Sequence, residues 1–218
     1  MNNNNKEDSE LKYQKLNDVF SVAIFGSARI KETENLYREV FDLAYQIGAN
    51  HMTVVTGGGP GLMEAGNSGH KAGSSAEVKT TGLTINLPWE NEGNPHLDIK
   101  KEFNKFSRRL DAFMEISNVM VVMPGGIGTA LELFYSWQLL QVGHVINTPI
   151  ILHGKMWNDL VSWIKKDLCG GGYVSPEDLD NVYTVDTNEE AMKLILEFKS
   201  QYDKGGKSAE LKSSEFLI

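Results

Sequence analysis

Apolar positions recur along the chain in two patterns, and each change of pattern marks an element. Residues 19–25, 53–56, 119–123 and 149–152 are short, nearly continuous apolar runs with the length of buried strands. Residues 80–87 read as a further strand stopped by Pro88, and residues 181–185 as a short last one. Helical stripes lie between them. Leu36, Val40, Phe41, Leu43, Ala44 and Ile47 share one face of a helix that opens at Thr33 and stops at Gly48. Phe106, Leu110, Phe113 and Met114 form the stripe of a helix over 105–116, and residues 157–168 form an amphipathic helix closed by Gly170-Gly171-Gly172. Thr187 and Glu190 make a capping box for a final helix with Ala191, Leu194, Ile195 and Phe198 on its apolar face. The small residues of 66–76 suggest a helix end and a loop, and 89–96 a second loop. Strands alternating with helices predict an α/β fold: a single-domain, doubly wound (Rossmann-like) parallel sheet with helices on both faces.

The ends of the chain differ from this body. Residues 1–10 are polar and low in complexity and are expected to be disordered, with a short helix over 11–17; the domain occupies 11–202, and 203–218 read as a flexible tail. Composition narrows the function. The 218 residues are 41% apolar and 23% charged, enough for one sizeable domain, and a net charge of -8 argues against a broad basic face for nucleic acid. Cys169 is the only cysteine, which excludes an intrachain disulfide or a Cys-based metal cluster and suits inert packing in a reducing compartment. No apolar run reaches membrane-spanning length and residues 1–8 lack a signal-peptide core, so the expected location is cytoplasmic, with no membrane partner.

The candidate chemistry lies where strands end in glycine. Residues 119–123 run into Pro124-Gly125-Gly126-Ile127-Gly128-Thr129, and a helix-forming run containing Glu132 follows directly. Glycines admit a ligand close to main-chain N–H groups, and the helix points its unpaired N–H groups and positive dipole end into the same space, a ready phosphate site. Gly57-Gly58-Gly59-Pro60-Gly61-Leu62-Met63 repeats the arrangement after an earlier strand, and Gly26-Ser27 ends the first one. Open α/β sheets bind ligands at these carboxyl ends, so the three loops are expected to converge on one cleft. Neither glycine turn reads G-x-G-x-x-G, and neither carries a P-loop lysine, which argues against an NAD enzyme or a P-loop NTPase. A tight strand–helix connection without a ligand is the simpler reading of residues 57–61. Glu132 has two readings as well: a carboxylate in the first helical turn leaning toward the loop, or the second half of a Thr129-x-x-Glu132 capping box. Arg108 and Arg109 lie about 100° apart on their helix, so one can face solvent while the other reaches inward.

The paired motifs, residues 57–63 and Pro124-Gly125-Gly126-Ile127-Gly128-Thr129-Ala130-Leu131-Glu132, resemble the Lonely Guy family, whose PGGxGTxxE proteins often bear the label "lysine decarboxylase-like". The resemblance runs from about residue 22 to 198. It implies a phosphoribohydrolase that splits the N-glycosidic bond of a nucleoside 5′-monophosphate, AMP-like or a cytokinin nucleotide, into free base and ribose 5-phosphate. It also implies Glu132 and Arg109 as the catalytic pair. Substrate and phosphate would be bound by Gly26, Ser27, Gly57, Gly58, Gly59, Gly61, Met63, Arg108, Pro124, Gly125, Gly126, Gly128 and Thr129. No cofactor and no metal are implied, and no lysine stands in an evident pyridoxal-phosphate context. In the family Arg-Lys is common on the preceding helix, whereas here Leu110 follows Arg109. The alternative is a noncatalytic carrier of the same fold, for a nucleotide or the molybdenum cofactor. The run around Trp137 is apolar nearly all round, more than one sheet face needs, which predicts a homodimer.

Overall fold

The computed structural model describes residues 19–75, 77–86, 93–145, 148–205 and 216–218. The expectations for residues 1–17 and for Pro88 lie outside the described residues. Seven strands form one sheet, β1 (Ser21–Phe25), β2 (Thr53–Thr56), β3 (Thr81–Ile85), β4 (Ile99–Phe103), β5 (Val119–Val122), β6 (Ile150–His153) and β7 (Val182–Val185). Their order is β4-β3-β2-β1-β5-β6-β7, and every neighbouring pair is parallel. Among the described residues six α-helices complete the layers: α1 (Asn35–Ala49), α2 (Leu62–Gly73), α3 (Phe106–Ile116), α4 (Ile127–Gln141), α5 (Asn158–Trp163) and α6 (Asn188–Asp203).

Strand periodicity divides the core in two. Val22, Ile24, Val119 and Val121 face the layer made by α1, α2 and α6, while Ala23, Phe25, Met120 and Val122 face the layer of α3, α4 and α5. Both faces of the sheet are therefore buried, as the apolar runs predict for a doubly wound fold. The order reverses at β1. The connection after β1 leads to one side of the sheet and the connection after β5 to the other, which opens a crevice at the carboxyl ends of these two central strands.

Several elements differ from the sequence expectation. Strand β4 falls where no strand is predicted: its residues Ile99-Lys100-Lys101-Glu102-Phe103 carry three charges and only one buried side chain, because it is the sheet edge. Helix α2 continues to Gly73 instead of ending near residue 66. Its glycines serve the approach of α1: a Cβ at Gly69 would collide with the Phe41 carbonyl and one at Gly73 with the Tyr45 carbonyl. Helix α1 starts at Asn35, behind Glu34, not at Thr33. The helix expected over 157–168 is α5 followed by a π-helical stretch over Ile164–Cys169. Of the expected tail, 206–215 lie outside the described residues, whereas Leu217 bridges Tyr183 antiparallel on the free edge of β7. Among the described residues no helix is long and apolar enough to cross a membrane.

Candidate active site

The crevice at the sheet switch point is a cavity of about 550 Å³, within the usual range for a small-molecule site. The loop after β1 contributes Gly26, Ser27, Ala28 and Arg29; the loop after β2 contributes Gly57, Gly58 and Gly59, with Met63 behind them; and the start of α4 contributes Gly126, Ile127, Gly128, Thr129 and Glu132. Thr84, Asn86 and Glu102 close the side toward β3 and β4, and Phe106 and Arg109 come from α3.

Each loop is held by bonds the sequence supplies locally. Ser27 N–H donates to the Pro124 carbonyl at 3.2 Å and the Ser27 carbonyl accepts from Leu62 N–H at 2.9 Å, tying all three loops together. Gly61 takes a positive φ of 68°, and a Cβ there would lie 2.5 Å from the Ser27 carbonyl, so only glycine fits. The 57–59 loop rests on a buried polar chain. Thr56 Oγ1 donates to Asn67 Oδ1 at 2.7 Å, Gly58 N–H donates to Thr56 Oγ1 at 3.0 Å, and Asn94 Nδ2 donates to the Gly59 carbonyl at 3.0 Å. A satisfied network of this kind fixes a loop in one geometry.

Arg109 and Glu132 meet at the cavity wall. Arg109 Nη2 lies 3.4 Å from Glu132 Oε1, with side-chain exposures of 10% and 13%. The guanidinium is steered by Nε–H, which donates to the Leu83 carbonyl at 2.7 Å, and it lies 5.5 Å from the Phe113 ring centroid. Burial pushes the Glu132 carboxyl from 4.5 up to about 7, against the smaller opposing pull of Arg109. The carboxylate is thus poised between its two forms near neutrality, an uncommon state for a side chain with only a structural task.

Helix α4 begins at Ile127 with Gly126 as its N-cap, and no side chain caps it. Thr129 is therefore inside the helix and the Thr129–Glu132 capping box does not form. Glu132 sits in the second turn, one turn beyond the expected place, and its side chain leans back toward the loop. The glycines of this loop differ in purpose. A Cβ at Gly125 would collide with Thr129, so Gly125 is needed for packing, whereas Gly126 and Gly128 face open space with nothing within 4 Å.

Most of the expected residues converge on the cavity. Gly61, Pro124 and Gly125 shape its loops without lining it, and Arg108 is exposed and stands off the wall. Leu110 is buried at 6% exposure and does not line the cavity. Sequence reasoning missed Arg29, Asn86, Glu102, Phe106 and Ile127 as wall residues. The Arg29 signal was available, two residues past Ser27 on a strand-end loop; Glu102 became visible only with β4.

A family model described as "Possible lysine decarboxylase" matches residues 51–195, across both glycine loops, Arg109 and Glu132. The chain belongs to the Lonely Guy family. The curated pyrimidine/purine nucleotide 5′-monophosphate nucleosidase of Escherichia coli K12 is 31% identical to this Lonely Guy protein over 119 residues, covering 52% of this chain and 26% of that one. The matched region is thus about a quarter of that relative's length. Among solved structures, a structural-genomics target aligns with a TM-score of 0.64 at 24% identity, covering 82% of this chain and 99% of its own. The molybdenum cofactor binding protein from Rippkaea orientalis aligns at 0.59 and 21% identity, covering 82% and 96%. At these identities the two structures share the fold, a parallel α/β sheet of Rossmann-like type.

Proposed function

We propose that this Lonely Guy protein is a nucleoside 5′-monophosphate phosphoribohydrolase, cleaving AMP-like or cytokinin nucleotides to free base and ribose 5-phosphate. One observation carries the reading: a buried carboxylate–guanidinium pair, Glu132 with Arg109, lines a cavity that the open N-terminus of α4 lines as well. The amide end of α4, uncovered at Gly126 and Gly128, receives the phosphate, with Ser27 and Thr129 beside it. Glu132 then faces the sugar. As the C1′–N bond breaks, its electron pair leaves with the base and positive charge builds on the ribose, which ionised Glu132 stabilises or traps covalently. Water supplies hydroxide to C1′ and its proton to the base. Arg109 holds Glu132 in place at the cavity wall.

The E. coli relative bears a nucleosidase name, which agrees with this chemistry. The decarboxylase description finds no support in the cavity, since no lysine is among the described residues that line it to hold a pyridoxal aldehyde. A noncatalytic carrier would need no buried carboxylate held near neutrality against a guanidinium. The deciding experiment incubates the protein with AMP, other nucleoside monophosphates and isopentenyladenosine monophosphate and measures free base, beside Glu132→Gln and Arg109→Ala. Release of base by wild type, lost in both variants, is expected; binding of AMP without base release from any substrate establishes the carrier instead.

The homodimer belongs to the same reading. Helix α4 packs Leu133, Ser136 and Trp137 inward, yet Ile127, Leu131 and Phe134 are 89%, 47% and 43% exposed along its other side, in a stripe that starts at the cavity mouth. A second copy of the chain covering this stripe would also shelter the cavity from water.

A further inference from the structure

We propose that Arg29 is a specificity-determining residue of this site, the cation that pairs with the substrate phosphate and selects 5′-monophosphates over the corresponding nucleosides. The inference rests on the nucleotide reading above. A phosphate monoester carries about −1.5 to −2 charges at neutral pH, and the helix amides alone offer only about half a positive charge. A cation would balance the rest, and among the described residues the cavity wall holds two. Arg109 is committed, with Nε on the Leu83 carbonyl and Nη2 beside Glu132. Arg108, exposed as Arg29 also is, does not line the cavity, and Leu110 is buried and does not line it either. That leaves Arg29. Its guanidinium has no ion pair or hydrogen bond among the described residues, although it lines a cavity that also contains Glu102 and Glu132.

The backbone beneath Arg29 is fixed in the manner of a binding loop. Arg29 N–H donates to Ser27 Oγ at 3.1 Å, Ser27 N–H is tied to Pro124, and the Ala28 carbonyl carbon lies 2.6 Å from where a Cβ at Gly61 would stand. The loop is therefore clamped between the two glycine turns, and its side chain leaves from a defined point two residues past the contact with the Pro124 loop. An arginine placed so can grip two phosphate oxygens at once, which a lysine cannot. A plain solvated surface arginine would need neither the clamped loop nor a place on the cavity wall.

Calorimetric binding of AMP and of adenosine to the full chain, for wild type, Arg29→Ala and Arg29→Lys, tests this. Arg29→Ala is expected to weaken AMP at least tenfold and adenosine less than twofold, with Arg29→Lys intermediate for AMP; where base release is measured, KM for AMP should rise far more than kcat falls. Equal losses for AMP and adenosine would mark Arg29 as merely structural and overturn the assignment. So would unchanged AMP affinity, or a wild type that binds AMP no more tightly than adenosine. The two readings separate cleanly. Arg29-dependent AMP binding without base release sinks the hydrolase and keeps Arg29, whereas base release indifferent to Arg29→Ala does the reverse.

Discussion

Glu132→Gln makes the state of the buried carboxylate measurable without any substrate. In the folded protein the Glu132 carboxyl is raised from 4.5 to about 7, so between these values the folded chain holds a proton that the unfolded chain has released. The unfolded state then binds fewer protons, and wild-type stability falls as pH rises through that window. Glu132 therefore costs about 1 kcal/mol at pH 5 and roughly 3 kcal/mol at pH 8, the full shift at 1.36 kcal/mol per unit. Glutamine does not titrate. Any pH-independent effect of the substitution cancels when pH values are compared, and the pull of Arg109 on the charged carboxylate is already contained in the value of about 7. The stability of Glu132→Gln relative to wild type should thus grow by about 2 kcal/mol from pH 5 to pH 8. Urea unfolding of both proteins at pH 5, 6, 7 and 8 reads this directly: with a slope of about 2 kcal/mol per M, the midpoints should diverge by roughly 1 M. A difference that stays flat, or shrinks with rising pH, would mean that Arg109 outweighs burial and that Glu132 is an ordinary ion-paired carboxylate.

Other outcomes follow from the same geometry. If ionised Glu132 is the working form, kcat/KM for AMP should rise with pH through about 7, and a pH–rate profile falling there would instead make Glu132 the acid. Arg109→Ala should lower the rate of base release by roughly 10²- to 10³-fold, read in steady-state assays, as expected for loss of one preorganised charged donor. Gly126→Ala, with open space around the added methyl, should change stability by less than about 0.5 kcal/mol yet raise KM; a normal KM would remove the phosphate from the end of α4. Leu131→Glu combined with Phe134→Glu should leave the chain folded and give a monomer by light scattering at micromolar concentration, where wild type should scatter as a dimer.

How much of this was legible in the sequence depended on how each feature is written. Buried parallel strands appear as apolar runs because both faces are covered, so β1, β2, β5 and β6 stood out. Strand β4 did not, since an edge strand exposes Lys100 and Glu102 and shows no run to read. Helix α2 was cut short because glycine signals a helix end to local reasoning, whereas Gly69 and Gly73 exist for the passage of α1 over them, a contact that sequence order cannot reveal. The same limit applies in the site. Thr129 and Glu132 match a capping box in spacing, but the box depends on where α4 starts, and Gly126 rather than Thr129 starts it.

The glycines of the PGG loop are of two kinds. A glycine is kept either because the fold leaves no room for a side chain or because something outside the fold needs the space. Gly125 and Gly61 belong to the first kind, each with a neighbouring atom where a Cβ would sit. Gly126 and Gly128 meet nothing, and Gly126 has a φ of -94° that any residue can adopt. Packing and backbone strain thus give no reason for glycine at either place. Both lie at the wall of the cavity that holds Arg109 and Glu132. On the proposed function, what requires them to be bare is a ligand brought against the first amides of α4, with Glu132 one turn further along the same helix.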